Sequence, residues 1–307
     1  MKRLMLMFAL LGSSAVATQE SQMRFTAPQG TASDYKSETT TEIKNTLVSL
    51  KSLDGKGVPQ GLKDFVLENF SSKTLPNTEY RETVLEQDEN IGATLQITGW
   101  NRSSTGLSMG PRIQLEYTVQ ISNRNKAEAR DIKTFLDHKT VPQGLPASAE
   151  KVMLESQKAS AAYSALTLQI LMQPFELRKP KAFLATPIEL GQKSGANSAK
   201  IKLGVAKLLK RTQGGGFRFA LDVDTARYAP ELLGNVDSSY RVKQYSRQAL
   251  EYGPDGRLLR SSGISTNVVQ LPAQTREFQG HKFEVVTALV TASSTTTVRS
   301  DADDKTP

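Results

Sequence analysis

The side chains able to do chemistry are few in this chain and widely spaced. Cysteine is absent, which removes thiol nucleophiles, iron–sulfur clusters, cysteine zinc sites and acylated cysteine anchors together. Two histidines occur. His138 sits in Asp137-His138-Lys139 and His281 in Gly280-His281-Lys282, and neither belongs to a paired metal-binding motif. No Gly-x-Ser-x-Gly elbow marks a serine nucleophile. Carboxylate pairs can hydrolyse glycosidic bonds when they face each other across a cleft. Asp222 and Asp224, two apart at a strand end and therefore on one face, form the best such pair. Strand-end acids are ordinarily solvated, so the sequence assigns no catalytic residue, no metal site and no cofactor.

Binding is better represented than catalysis. Trp100, the single tryptophan, suits a sugar or lipid surface, although a lone Trp beside Gly99 and Asn101 also suits packing. Tyr163, Leu166 and Ile170 lie on the most apolar stretch of the chain, and with Trp100 they make up the candidate binding residues. The glycine run Gly214-Gly215-Gly216 is followed by strand-like alternation with no helix N-terminus to hold a phosphate. It reads as a hairpin loop.

The elements that must position these residues are mainly strands. Ile113, Leu115, Tyr117, Val119 and Ile121 alternate with polar residues, which predicts a strand with one buried and one wet face. Similar alternation occurs at Ala93–Ile97, Ile201–Val205, Phe217–Val223 and Phe283–Leu289. Wet faces favour antiparallel sheets over a doubly wound parallel sheet. Tyr252-Gly253-Pro254-Asp255-Gly256-Arg257 carries the residues of a type I turn closed by a left-handed glycine. It predicts a hairpin of strands near 240–252 and 257–269. Residues Glu251–Arg260 resemble a single tyrosine–aspartate repeat of the Rhs-type exported shell proteins. The likeness covers one copy of about ten residues and implies no function beyond the hairpin.

Residues 147–172 lack Gly and Pro, are rich in helix formers, and are punctuated by Pro146 and Pro174. They predict one long central helix with a polar stripe of Ser156, Ser160, Ser164 and Thr167 in an otherwise apolar surface. Such a helix must be covered on more than one side. It either packs across the sheet as core or plugs a concave sheet. The expected fold is mainly β (α+β), with antiparallel sheets and this helix.

An internal echo leaves the domain plan with two readings. Val58-Pro59-Gln60-Gly61-Leu62 recurs as Val141-Pro142-Gln143-Gly144-Leu145, each after an Ile-Lys pair and before a helix-like run. The echo is either coincidence in common turn residues or a duplication giving two related lobes, each a helix on a sheet. The expected layout is a flexible leader at 18–38, an N-terminal β-rich lobe at 39–126, a C-terminal lobe at 127–292 and a disordered tail at 293–307.

The N-terminus predicts the location. Lys2 and Arg3, the apolar run Leu4–Leu11 and the small-x-small site Ala15-Val16-Ala17 form the three parts of a secretory signal peptide over residues 1–17. The apolar run is far shorter than the roughly 20 residues of a membrane span, and no later run approaches that length. Export to the periplasm or the medium is expected, with no transmembrane span in the mature chain. Removal of Lys2 and Arg3 lowers the net charge from +8 to +6. This mild, dispersed basicity favours anionic envelope partners, while export argues against nucleic acid.

Three function classes follow. The first is a non-enzymatic binding or assembly protein of the bacterial cell envelope, contacting an envelope protein or a hydrophobic or anionic envelope ligand. The second is a periplasmic carrier of a hydrophobic ligand such as lipid, with the helix closing a curved sheet. The third is a carboxylate-dependent hydrolase of an envelope polymer. An outer-membrane barrel is disfavoured, because such barrels carry aromatic girdles and aromatic residues are only 7% of this chain.

Overall fold

A computed structural model describes residues 21–55, 57–58, 61, 71–105, 108–141, 147–186, 200–224 and 241–300. The signal-like segment and most of both pentapeptide copies lie outside these residues. The elements run β1 (Ala32–Ser52), β2 (Ser71–Asp88), β3 (Gly92–Thr105), β4 (Ser108–Ser122), β5 (Ala127–Leu136), a 3-10 turn (His138–Thr140), α1 (Ala147–Leu171), β6 (Pro180–Ala185), β7 (Ile201–Arg211), β8 (Phe217–Asp224), β9 (Arg241–Tyr252), β10 (Leu258–Gln270), β11 (Gln274–Phe278) and β12 (His281–Arg299).

The strands form one antiparallel sheet in the order β5-β4-β3-β2-β1-β12-β10-β9-β8-β7-β6, with β11 paired to β12. The described residues therefore form one continuous sheet with their first and last long strands side by side, Thr39 opposite Thr295. The expected lobe boundary near residue 126 falls in the β4–β5 hairpin, within that sheet. Among the described residues the helix, 25 residues against 12 strands, is short beside a large sheet, and one long central helix is not what the structure shows.

The sheet is strongly curled. In order, β4 and β9 are six strands apart, which is roughly 29 Å across a flat sheet at about 4.8 Å per strand. Leu115 of β4 and Leu250 of β9 nevertheless line one cavity with residues of α1. Register shifts explain the bend, because an extra residue in one strand increases local twist. They occur at Ser37/Thr39, Val84/Glu86, Glu116/Thr118, Leu208/Lys210 and Leu258/Arg260, among others. Gly99 adds room at the bend, since a Cβ there would lie 2.6 Å from the Tyr80 Cβ.

Inside the curl lies a core drawn from β2–β9 and from α1, whose Ala161, Ala165, Leu166 and Leu171 are buried. The helix touches both ends of the sheet. Gln169 Oε1 accepts a hydrogen bond from the Ala127 amide of β5 at 3.1 Å. Tyr163 packs on Phe183 of β6 with ring centroids 5.8 Å apart.

The segments read as a flexible leader and a disordered tail both contribute residues to these elements. Residues 21–27 of the leader pack along the core with Met23, Phe25 and Ala27 buried and Arg24 and Thr26 exposed, and 32–38 open β1. Residues 293–299 of the tail belong to β12, where Thr297, Thr295 and Ser293 pair by hydroxyl hydrogen bonds with Ser37, Thr39 and Thr41. These hydroxyls satisfy one another across strands, which a hydrophobicity pattern does not register.

Candidate functional site

Between α1 and the concave face of the sheet is a cavity of about 420 Å³. Alternation supplies its walls. Leu95 and Ile97 of β3, Leu115 and Val119 of β4, and Leu250 of β9 face inward because they share the buried parity of their strands. Across from them the helix presents Ser160, Ser164 and Thr167, with Ala165 and Leu168 beside them. Three residues of the predicted polar stripe thus face the cavity. Ser160 and Ser164 are exposed, so this side of the helix is the water-accessible margin.

One carboxylate enters this apolar space. Glu82 of β2 lies opposite Ser33 of β1 and Ile97 of β3, and it lines the cavity with its Oε1 shielded and without a hydrogen-bond partner. Burial pushes its carboxyl up to about 7, with Asp255 adding to the rise and Arg257 and Arg299 opposing it. Arg257 is fixed by two bonds, donating from Nε to Asp255 Oδ2 at 2.7 Å and from Nη1 to Ser33 Oγ at 2.6 Å. Its side chain is 10% exposed. The β9–β10 turn anticipated from Tyr252–Arg257 thereby delivers a partly buried ion pair next to Glu82.

Tyrosines surround the acid. Tyr80 stacks on Tyr35 with centroids 4.5 Å apart and planes 6° from parallel. Burial holds the Tyr80 and Tyr252 phenols above their ordinary range, and the Glu82 charge adds to it. Burial pushes Tyr117 up to about 12, against a hydrogen bond with Ser164. These phenols keep their protons at neutral pH and serve as hydrogen-bonding groups. The arrangement can hold a mainly apolar molecule and engage one polar group on it.

The structure separates the predicted site residues. Tyr163 lines the cavity, where burial holds its phenol above the ordinary range. Leu166 and Ile170 are buried in the core beneath the helix. Trp100 lies opposite Glu79 on the outer parity of β3, with the Arg112 guanidinium 4.3 Å above its ring. Asp222 and Asp224 do share a face, but it is the outer one, where Asp222 accepts from Arg247 Nε at 2.7 Å. His281 bonds Asp54 at 2.8 Å at the start of β12. Among the described residues no group of acids and histidines is arranged to hold a metal ion.

Glu82, Tyr80, Tyr117 and Tyr252 are site residues that the sequence reading did not select. One signal was available: Glu82 shares its parity with Tyr80 and Val84, which places a charge on the apolar face of β2.

No protein-family model matches the chain, and no curated protein matches it. Solved structures with weak similarity to the chain include a Pseudomonas aeruginosa FadL homologue, at 7% identity and a TM-score of 0.18, covering 87% of this chain and 90% of that one. Another is the P. putida toluene transporter TodX, at 9% identity and a TM-score of 0.15, covering 89% of this chain and 91% of that one. At these TM-scores neither likeness bears on fold or function.

Proposed function

We propose that this chain is an exported, non-enzymatic binding protein that carries an amphipathic ligand in the cavity between α1 and the curled sheet. The observation that carries this reading is the cavity itself: about 420 Å³, walled mainly by leucines and tyrosines, with one side open along the helix serines. That volume falls within the range of roughly 300–1,000 Å³ typical of small-molecule sites. A folded core of this size ordinarily closes such a space with side chains. Here polar groups from the helix and from β2 converge on it instead.

The outer face supports a ligand held in water rather than a barrel held in lipid. Lys36, Glu38 and Glu42 of β1, Arg218 of β8 and Arg247 of β9 all point outward and are exposed. A lipid-facing barrel presents an apolar band at such positions. Among the described residues no helix is long and apolar enough to cross a membrane. With the secretory pattern of Lys2–Ala17, the periplasm or the medium is the proposed location, and envelope amphiphiles are the proposed ligand pool.

Native mass spectrometry of residues 18–307, purified from envelope extracts without detergent, tests this reading. The expected spectrum shows an adduct of lipid mass that organic extraction releases at about one molecule per chain. A chain that carries no adduct, and takes none up from added lipid, overturns the proposal.

A further inference from the structure

The cavity contains a polar atom whose needs the protein does not meet. Glu82 Oε1 is shielded from water, and no donor reaches it. A buried carboxyl oxygen in that state is costly and persists only for a reason. The groups around it narrow what could complete it. Tyr35, Tyr80, Tyr117 and Tyr252 face it from β1, β2, β4 and β9, while Asp255 and Arg257 approach from the turn and Arg299 from β12. A ligand ammonium would enter beside Arg257 and Arg299, and a ligand carboxylate beside Glu82 and Asp255. The ammonium meets the guanidinium charges of Arg257 and Arg299, and the carboxylate meets the charge of Asp255, in a poorly hydrated space where repulsion is weakly screened. A neutral hydroxyl meets neither penalty and supplies the missing donor.

We propose that Glu82 accepts a hydrogen bond from the hydroxyl head of a neutral amphiphile, whose hydrocarbon body lies against the leucine wall of the cavity. This assigns the ligand class as hydroxyl-headed lipid or long-chain alcohol, and it rests on the ligand-binding reading above. Glu82 is then the residue that sets head-group preference, while Leu95, Leu115 and Leu250 supply chain affinity without regard to the head.

The test is competition against a bound naphthylamine fluorophore, using delipidated residues 18–307. Dodecanol and its methyl ether differ only in the donor, and dodecylamine and dodecanoate test charge on the same chain. The wild-type protein is expected to prefer the alcohol to the ether by about tenfold or more. The amine and the carboxylate should compete less well than the alcohol. Glu82→Leu should abolish the preference for alcohol over ether, and Glu82→Gln, whose amide oxygen still accepts, should keep part of it.

Equal competition by alcohol and ether in the wild-type protein overturns the head-group assignment without touching the cavity reading. So does a preference that survives in Glu82→Leu, or a charged chain that binds as tightly as the alcohol. Failure of the wild-type protein to bind the fluorophore or any of these chains overturns both. The alcohol-to-ether comparison is made on the wild-type protein, so it stands even where a variant folds poorly.

Discussion

Tyr163 of α1 and Phe183 of β6 meet with ring centroids 5.8 Å apart, although β6 and β5 are the two ends of the sheet and the helix also bonds β5. The helix thus spans the gap between the edges, and the cavity exists because it does so. Phe183 is fully buried. Phe183→Ala should cost about 3–5 kcal/mol in chemical denaturation, and it should expose α1 to proteolysis under native conditions. Trp100→Ala, on the outer face, should leave the helix protected. Equal effects of the two substitutions would show that the contact does not hold the helix in place.

The acid in the cavity predicts a pH dependence. In the unfolded chain Glu82 gives up its proton near 4.5, whereas in the folded protein it keeps it to about 7. Between those values the folded state binds more protons, so stability is highest below the lower value and declines as pH rises through the upper one. The full shift corresponds to a loss of at most about 3–4 kcal/mol. Denaturant titrations from pH 4 to 8 should show this decline in the wild-type protein and a flatter profile in Glu82→Gln. Parallel profiles would remove Glu82 as its source.

The turn that carries Arg257 also holds the N-terminal segment. Gly256 has φ +80°, and a Cβ there would lie 2.5 Å from the Arg24 carbonyl oxygen and 2.8 Å from the Phe25 Cα. The Thr26 amide donates to the Asp255 carbonyl at 2.9 Å. Gly256→Ala should therefore cost at least about 1–2 kcal/mol from the left-handed backbone alone and displace residues 24–26. Limited trypsin digestion should cut at Arg24 faster in the variant than in the wild-type protein. An unchanged cleavage rate would mean that the segment is held elsewhere.

The outer acids should be dispensable. Asp222 is partly exposed and paired with Arg247, itself mostly in solvent, and exposed pairs of this kind contribute little. Asp222→Asn combined with Asp224→Asn should leave both the melting curve and fluorophore binding unchanged. A loss of binding would place the functional face on the outside of the sheet.

Much of the sheet was legible because its strands alternate, as Ile113–Ile121 and Phe217–Val223 do, and because Pro254, Asp255 and Gly256 encode their turn. Pro146 and Pro174 likewise bracketed the helix closely. The curl was not legible, since it arises from register shifts such as Val84/Glu86, which are properties of two strands together. The strand at 293–299 was hidden by Ser and Thr on both faces, whose cross-strand hydroxyl pairs carry no hydrophobic period. Leu166 and Ile170 were recognised as apolar helix residues, but which side of α1 meets the cavity depends on where the curled sheet touches it. Trp100 was selected for its type, and its face follows from its pairing with Glu79.

The central claim is that the space beside Ser164 takes up an amphiphile. The most direct measurement is a fluorescence titration of the naphthylamine probe into delipidated wild-type protein and into Ser164→Trp, which fills the cavity margin from an exposed position. The account predicts saturable binding at about one probe per wild-type chain, displaced by dodecanol and lost in the folded variant. Unsaturable binding, or binding equally strong in Ser164→Trp, would contradict it.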